Sequence, residues 1–133
     1  MLISKTILKK IFSEFSRFAV VGVINTIINY GVFISFLSIF NVIFYLSGAI
    51  GFISGAISGF FLNRYWTFNS NVSLLHGSTK YFAIQILCLC IHIIVQLFVT
   101  KILMVQEVYS QIAGIAVTTF VNFVLSRKFV FNK

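Results

Sequence analysis

Residues Tyr81–Met104 read YFAIQILCLCIHIIVQLFVTKILM. From Tyr81 to Thr100 there is no Asp, Glu, Lys or Arg. An unbroken apolar run of about 20 residues is what a helix needs to cross the ~30 Å of bilayer hydrocarbon. The polar side chains it does contain, Gln85, Cys88, His92 and Gln96, recur every three or four residues and share one helical face. A strand would alternate with period two, which this run does not do.

Three further runs of the same kind lie outward from it, giving four spans at about 18–40, 43–63, 81–104 and 108–126. Of the 133 residues, 59% are hydrophobic and only 9% charged, more apolar surface than a soluble domain of this size can hide. Proline is absent, and only helices or closed barrels satisfy the backbone in lipid, so the fold class is all-α and polytopic. A signal peptide over residues 1–40 is the competing assignment, but the first run is too long for one and lacks a small-residue cleavage site.

The net charge of +8 comes from ten Lys and Arg set against Glu14 and Glu107. These cations sit between the apolar runs, which excludes nucleic acid as their target and makes them topology signals. Lys5, Lys9, Lys10 and Arg17 precede the first span, Arg64 and Lys80 separate the second from the third, and Arg127, Lys128 and Lys133 follow the fourth. Lys101 alone lies near an opposite turnaround. The bias predicts that both termini and the 64–80 segment are cytoplasmic, with the 41–42 and 105–107 links outside. Before the first span, residues 1–17 place Ile3, Ile7, Leu8, Ile11, Phe12 and Phe15 on one face and Lys5, Lys9, Ser13, Ser16 and Arg17 largely on the other. That pattern predicts an interfacial helix held on anionic lipid.

Compared with itself at an offset of 63 residues, the chain reveals an internal repeat, 17–68 on 80–131. Arg17-Phe18 meets Lys80-Tyr81, Ser47 meets Ser110, Gly51 meets Gly114, and Phe60, Leu62, Arg64 and Phe68 meet Phe123, Leu125, Arg127 and Phe131. Each copy is a tandem two-span hairpin, so a pseudo-twofold axis along the membrane normal is expected. The offset also lays Gly22, Asn25 and Asn29 on Gln85, Cys88 and His92, two matched polar stripes. Such stripes either join helices through hydrogen bonds of about 0.6–2 kcal/mol each or line a polar cavity, and both readings stay open. Gly51, Gly55 and Gly59 form a flat face for close helix packing, which Gly114, Thr118 and Asn122 repeat less smoothly.

The ends of the second and fourth spans, Asn63 to Phe68 and Ser126 to Phe131, set basic residues among aromatics. Positive-inside anchoring and an aromatic belt account for most of this composition. A functional reading makes Arg64 and Arg127, with Lys80 and Arg17 opposite, a basic mouth for a lipid phosphate, which guanidinium groups bind through paired planar hydrogen bonds.

At these residues the chain resembles the GtrA-like family, small four-span membrane proteins of bacterial cell-surface polysaccharide synthesis. The matching pieces are Arg17 to Gly22 with Asn25-Thr26, Gly59 to Phe68 with its Asn63-Arg64-x-Trp66-Thr67-Phe68 core, Lys80 to Phe82, and Asn122 with Arg127 to Phe131. The resemblance implies translocation of a polyprenyl-phosphate-linked sugar, of the undecaprenyl type, across the bacterial cytoplasmic membrane for polysaccharide or teichoic acid glycosylation. It also implies a membrane glycosyltransferase as partner. Asn25, Asn63, Arg64, Lys80, Asn122, Arg127 and Lys128 carry over from the family pattern. The expected phosphate ligands are thus Arg64, Lys80, Arg127, Lys128 and Arg17. The expected polar lining is Asn25, Asn29, Asn63, Asn122, His92, Gln85 and Gln96, with His92 resting on the stripe alone.

Catalysis is not expected, since there is no Asp, both Glu lie near membrane edges, and His92 has no carboxylate close in sequence. Cys88-x-Cys90 has neither zinc nor thioredoxin spacing, and no cofactor, metal or nucleotide motif is present. A small cation-drug exporter would need an intramembrane carboxylate, whereas the basic surfaces here suit an anion. A scaffold that recruits a glycosyltransferase through the basic face and the 69–79 loop is the remaining alternative. Four helices enclose little space for so large a lipid, which leaves room for a homo-oligomer. The topology has a direct test. With Cys88 and Cys90 replaced by Ala, Asn41→Cys should react with an impermeant thiol reagent in intact cells and Ser73→Cys only after permeabilisation; the reverse pattern would invert the protein.

Overall fold

In the computed structural model, which describes residues 2–132, helix accounts for 86% of the chain and no strand occurs among those residues. The elements are α1 (Leu2–Ser38), α2 (Phe44–Leu62), a π-helical segment π1 (Asn63–Thr67), α3 (Leu74–Lys101), α4 (Glu107–Leu125) and a second π segment π2 (Ser126–Val130). All four helices are long and apolar enough to cross a membrane, so this is a multi-pass membrane protein. Lys133 lies outside the described residues, as do the side chains of Ile3 and Glu107.

The chain divides into two compact units, one reaching to Ser70 and one beginning at Asn71. In the first, Asn29 meets Gly51, Asn25 meets Ser58, and Arg17 meets Trp66. Contacts that descend α1 as they ascend α2 and π1 define an antiparallel hairpin. The second unit shows the same order: Thr100 on Ser110, His92 on Gly114, Gln85 on Asn122, Tyr81 on Phe131. Helix boundaries also correspond, since Ser38 and Lys101, Phe44 and Glu107, and Leu62 and Leu125 each stand 63 residues apart, as do the two π segments. Even the turns match. Ile39 N–H bonds to Ser35 O and Val42 N–H to Phe36 O, while Ile102 bonds to Phe98 and Val105 to Val99 in the same pattern. Asn41 and Met104 occupy the left-handed region at φ 53° and 54°. Asn tolerates that conformation, whereas Met bears about 1–2 kcal/mol of strain there.

Two expected boundaries differ from those found. First, α1 runs unbroken from Leu2, so the amphipathic segment and the first span are one helix of 37 residues, roughly 55 Å long. No Pro or turn residue interrupts it, and the Ser16 hydroxyl, which would need to leave the helix to act as a cap, bonds back to Phe12 O at 2.9 Å. Second, the 69–79 loop ends early, because α3 begins at Leu74. Ser73 supplies the extended residue before the helix, and the Ser78 and Thr79 hydroxyls both donate to Leu75 O, so these polar residues are absorbed into the first turns.

Each hairpin buries a narrow seam, while many of its other apolar side chains are exposed. Phe18, Val21, Phe60 and Phe68 are buried in the first unit, and Tyr81, Ile84, Phe123 and Phe131 in the second, whereas Ile27, Ile94 and Phe120 are exposed. Close approach along the first seam depends on Gly51. A Cβ there would stand 2.6 Å from Asn29 O and 2.8 Å from its Oδ1, while one on Gly48 would meet nothing within 4 Å. Gly51→Ala should therefore lower the stability of the detergent-solubilised protein by about 1–3 kcal/mol. Gly48→Ala should leave it unchanged or slightly raised. Thermal unfolding of the two variants side by side makes the comparison.

Candidate functional site: the basic, aromatic ends of the two hairpins

α2 and α4 do not end in a turn but widen by one residue per turn. Phe68 N–H bonds to Asn63 O, and Phe131 N–H to Ser126 O, both at 2.9 Å and both five residues back. Such π segments are rare and cluster at functional sites. Buried polar groups sit on the seam side of each. In π1 the fully buried Asn63 accepts the Thr67 hydroxyl at 2.8 Å. In π2 the buried Ser126 hydroxyl donates to Asn122 Oδ1 at 2.9 Å, and Asn122 Nδ2 donates to Gln85 Oε1 at 3.0 Å. The following aromatic then tucks under the neighbouring helix, Phe68 against Phe18 and Phe131 against Tyr81, with ring centroids 6.1 and 6.0 Å apart.

With the seam side filled, the basic residues occupy the rim. Arg64 and Arg127 are half-buried, and Lys80 and Lys128 are exposed. Two of these cations lie near an aromatic ring: Arg64 Cζ is 4.7 Å from the centroid of Tyr65, and Lys128 Nζ is 5.4 Å from that of Phe129. Arg17 differs from the others. Its Nη1 donates to Trp66 O at 3.1 Å and its guanidinium is 6.0 Å from the Trp66 ring, so it fastens α1 to π1. The first unit thus brings Arg17 and Arg64 to one end, and the second brings Lys80, Arg127 and Lys128 to one end.

The polar stripes lie within the hairpin seams. Ser58 donates to Asn25 Oδ1 at 3.2 Å, Asn29 backs onto Gly51 and Gly55, and His92 Nε2–H donates to Gln111 Oε1 at 3.2 Å. Gln96 is half-buried on α3. Among the described residues, no buried side-chain nitrogen or oxygen lacks a partner. Several pairings escape a reading of the sequence: those made by Ser58, Thr67, Gln111, Ser126 and the Trp66 carbonyl. Gln111 carried a weak signal, since it stands three residues before Gly114 on the face that packs against His92.

A family model described as GtrA/DPMS, transmembrane domain, matches residues 17–131. The chain belongs to this family, one involved in moving sugars carried on phosphate lipids. The match opens on Arg17, which clasps π1, and closes on Phe131, the aromatic buried after π2.

The Gln85–Asn122 bond is one measurable part of this seam. A double-mutant cycle with Gln85→Leu and Asn122→Leu should return a coupling energy of about 0.6–2 kcal/mol in unfolding experiments. Additive losses would remove the bond from the stability of the hairpin.

Proposed function

We propose that this protein moves, or assists the movement of, a polyprenyl-phosphate-linked sugar across the bacterial cytoplasmic membrane, with both termini on the cytoplasmic side. The observation that carries the proposal is the recurrence of a π segment rimmed by Arg or Lys at the end of each hairpin. Each end by itself, Arg64 in one unit and Arg127 with Lys128 and Lys80 in the other, supplies charge and donors for a phosphodiester that would otherwise lose its hydration on entering the membrane. Arg17 supports the first of these ends by holding π1 through Trp66 O, and its remaining guanidinium donors stay available to the same phosphate.

The sugar poses the larger barrier, because each unsatisfied hydroxyl costs several kcal/mol in hydrocarbon. Asn25, Asn29, Gln85, His92, Gln96 and Asn122 line the seams at successive depths and offer both donors and acceptors. In this mechanism they exchange hydrogen bonds with the sugar as it passes, and the protein makes and breaks no covalent bond. Of the two Glu of the chain, Glu14 lies in the N-terminal part of α1 and Glu107 opens α4, and neither has a part in this mechanism.

Liposomes loaded with a glucosyl polyprenyl phosphate, with an impermeant sugar-modifying reagent outside, test the proposal. Wild-type protein should speed arrival of lipid at the outer leaflet, and Arg64→Ala or Arg127→Ala should slow it about tenfold or more, the scale of one charge-assisted contact. Arrival at the protein-free rate, together with co-purification of a glycosyltransferase, would replace translocation by a scaffold role.

A further inference from the structure

The two hairpin ends share a frame but differ in what they present, and the difference falls on one small surface. On the first unit, the Phe61 and Tyr65 rings are nearly parallel, 8° apart, with centroids separated by 6.2 Å. They are one helical turn apart and stacked, so together they form an exposed aromatic patch, a shelf of two parallel rings. Phe61 is 41% exposed, Tyr65 60% and the adjacent Trp66 43%. The Arg64 guanidinium lies over the Tyr65 ring, 4.7 Å from its centroid. Arg17 holds the backbone of this stretch through Trp66 O, so the shelf is carried by a fastened segment.

An interfacial belt is a matter of depth in the bilayer, and it places aromatics wherever a helix crosses the headgroup layer. The second unit, which ends in the same way, keeps Phe129 opposite Trp66 but has Val124 opposite Phe61 and Lys128 opposite Tyr65. Depth does not account for two stacked rings at one end and a valine and a lysine at the other. Exposed aromatic rings beside a guanidinium have a distinct chemical complement. Pyranose rings present a face of weakly positive C–H groups that sits on the negative face of an aromatic ring, and a phosphodiester one bond away reaches the cation.

We infer that Phe61 and Tyr65, beside Arg64, form a binding shelf for the sugar ring of a glycosyl phosphate lipid, so that the first unit distinguishes sugar-bearing lipid from the bare polyprenyl phosphate. This rests on the transport reading above and adds to it the residues that recognise the sugar. The phosphate contact holds either lipid. The shelf contributes only when a sugar is present, and it gives the protein a preference for loaded carrier over empty carrier.

Trp66, the only tryptophan in the chain, adjoins the shelf and serves as its reporter. The intact protein in nanodiscs is titrated with undecaprenyl phosphate and, separately, with its glucosyl ester, following Trp66 fluorescence. Wild type should bind the glucosyl lipid about three to ten times more tightly, the worth of one aromatic face. Tyr65→Leu, which keeps an apolar side chain at the same depth, should bind both lipids equally, and Tyr65→Phe should retain the preference. Arg64→Ala should weaken both lipids together. Equal wild-type affinity for the two lipids, or a preference that survives Tyr65→Leu, overturns the shelf while leaving the transport reading intact. The wild-type comparison decides even if a variant fails to fold. Binding of neither lipid to wild type overturns both.

Discussion

In hydrocarbon there is no water to complete a broken backbone hydrogen bond, so each peptide group must find its partner along its own helix. The consequences run through the whole chain. Links between helices are confined to short turns, and those turns close their own N–H groups onto the last carbonyls of α1 and α3. Where the helix must change course before its end, it does so by passing from α to π, which shifts the bonding partner by one residue without abandoning it. Serine and threonine follow the same logic: Thr26, Ser35, Ser54 and Thr118 return their hydroxyls to the helix backbone one turn earlier.

Side chains that cannot satisfy themselves this way are gathered into the seams. Small residues permit it, because Gly51 and Gly55 let α2 approach Asn25 and Asn29 at backbone distance, and Gly114 makes room for the His92 ring. The two units solve the same problem with different chemistry, an asparagine and serine pair in one, and glutamine, asparagine and histidine pairs in the other. One frame thus carries different polar fittings in its two halves.

Much of this was legible in the residues. Span number and the charged ends follow from hydropathy and from Lys and Arg placement, because lipid penalises departures strongly enough to leave a plain pattern. Periodicity also put Asn25, Asn29, Gln85 and His92 on shared faces. It identifies a face and not a neighbour, so the pairing of Asn25 with Ser58 and of His92 with Gln111 is not legible, and the competing purposes of the stripes stay balanced. The π segments were invisible for a related reason: α and π helices use the same residues and differ by one position in a hydrogen bond. The clasp of Arg17 on π1 was hidden as well, since sequence reports the charge and not the carbonyl it donates to. The continuity of α1 through residue 17 was hidden too, because an amphipathic stretch reads alike whether it bends onto the bilayer or runs straight into the span.

That the polar pairs close within each hairpin bears on biosynthesis. Asn25 finds Ser58, and Gln85 finds Asn122, across a single turn. Once the ribosome has delivered residues through about Ser70, the first pair of helices can leave the insertion machinery with these groups already partnered. The second pair then repeats the process on its own. Assembly in the cell becomes two successive deliveries of a finished hairpin, which spares the lipid from ever solvating an unmatched amide, and suits a gene that grew by copying one hairpin after another.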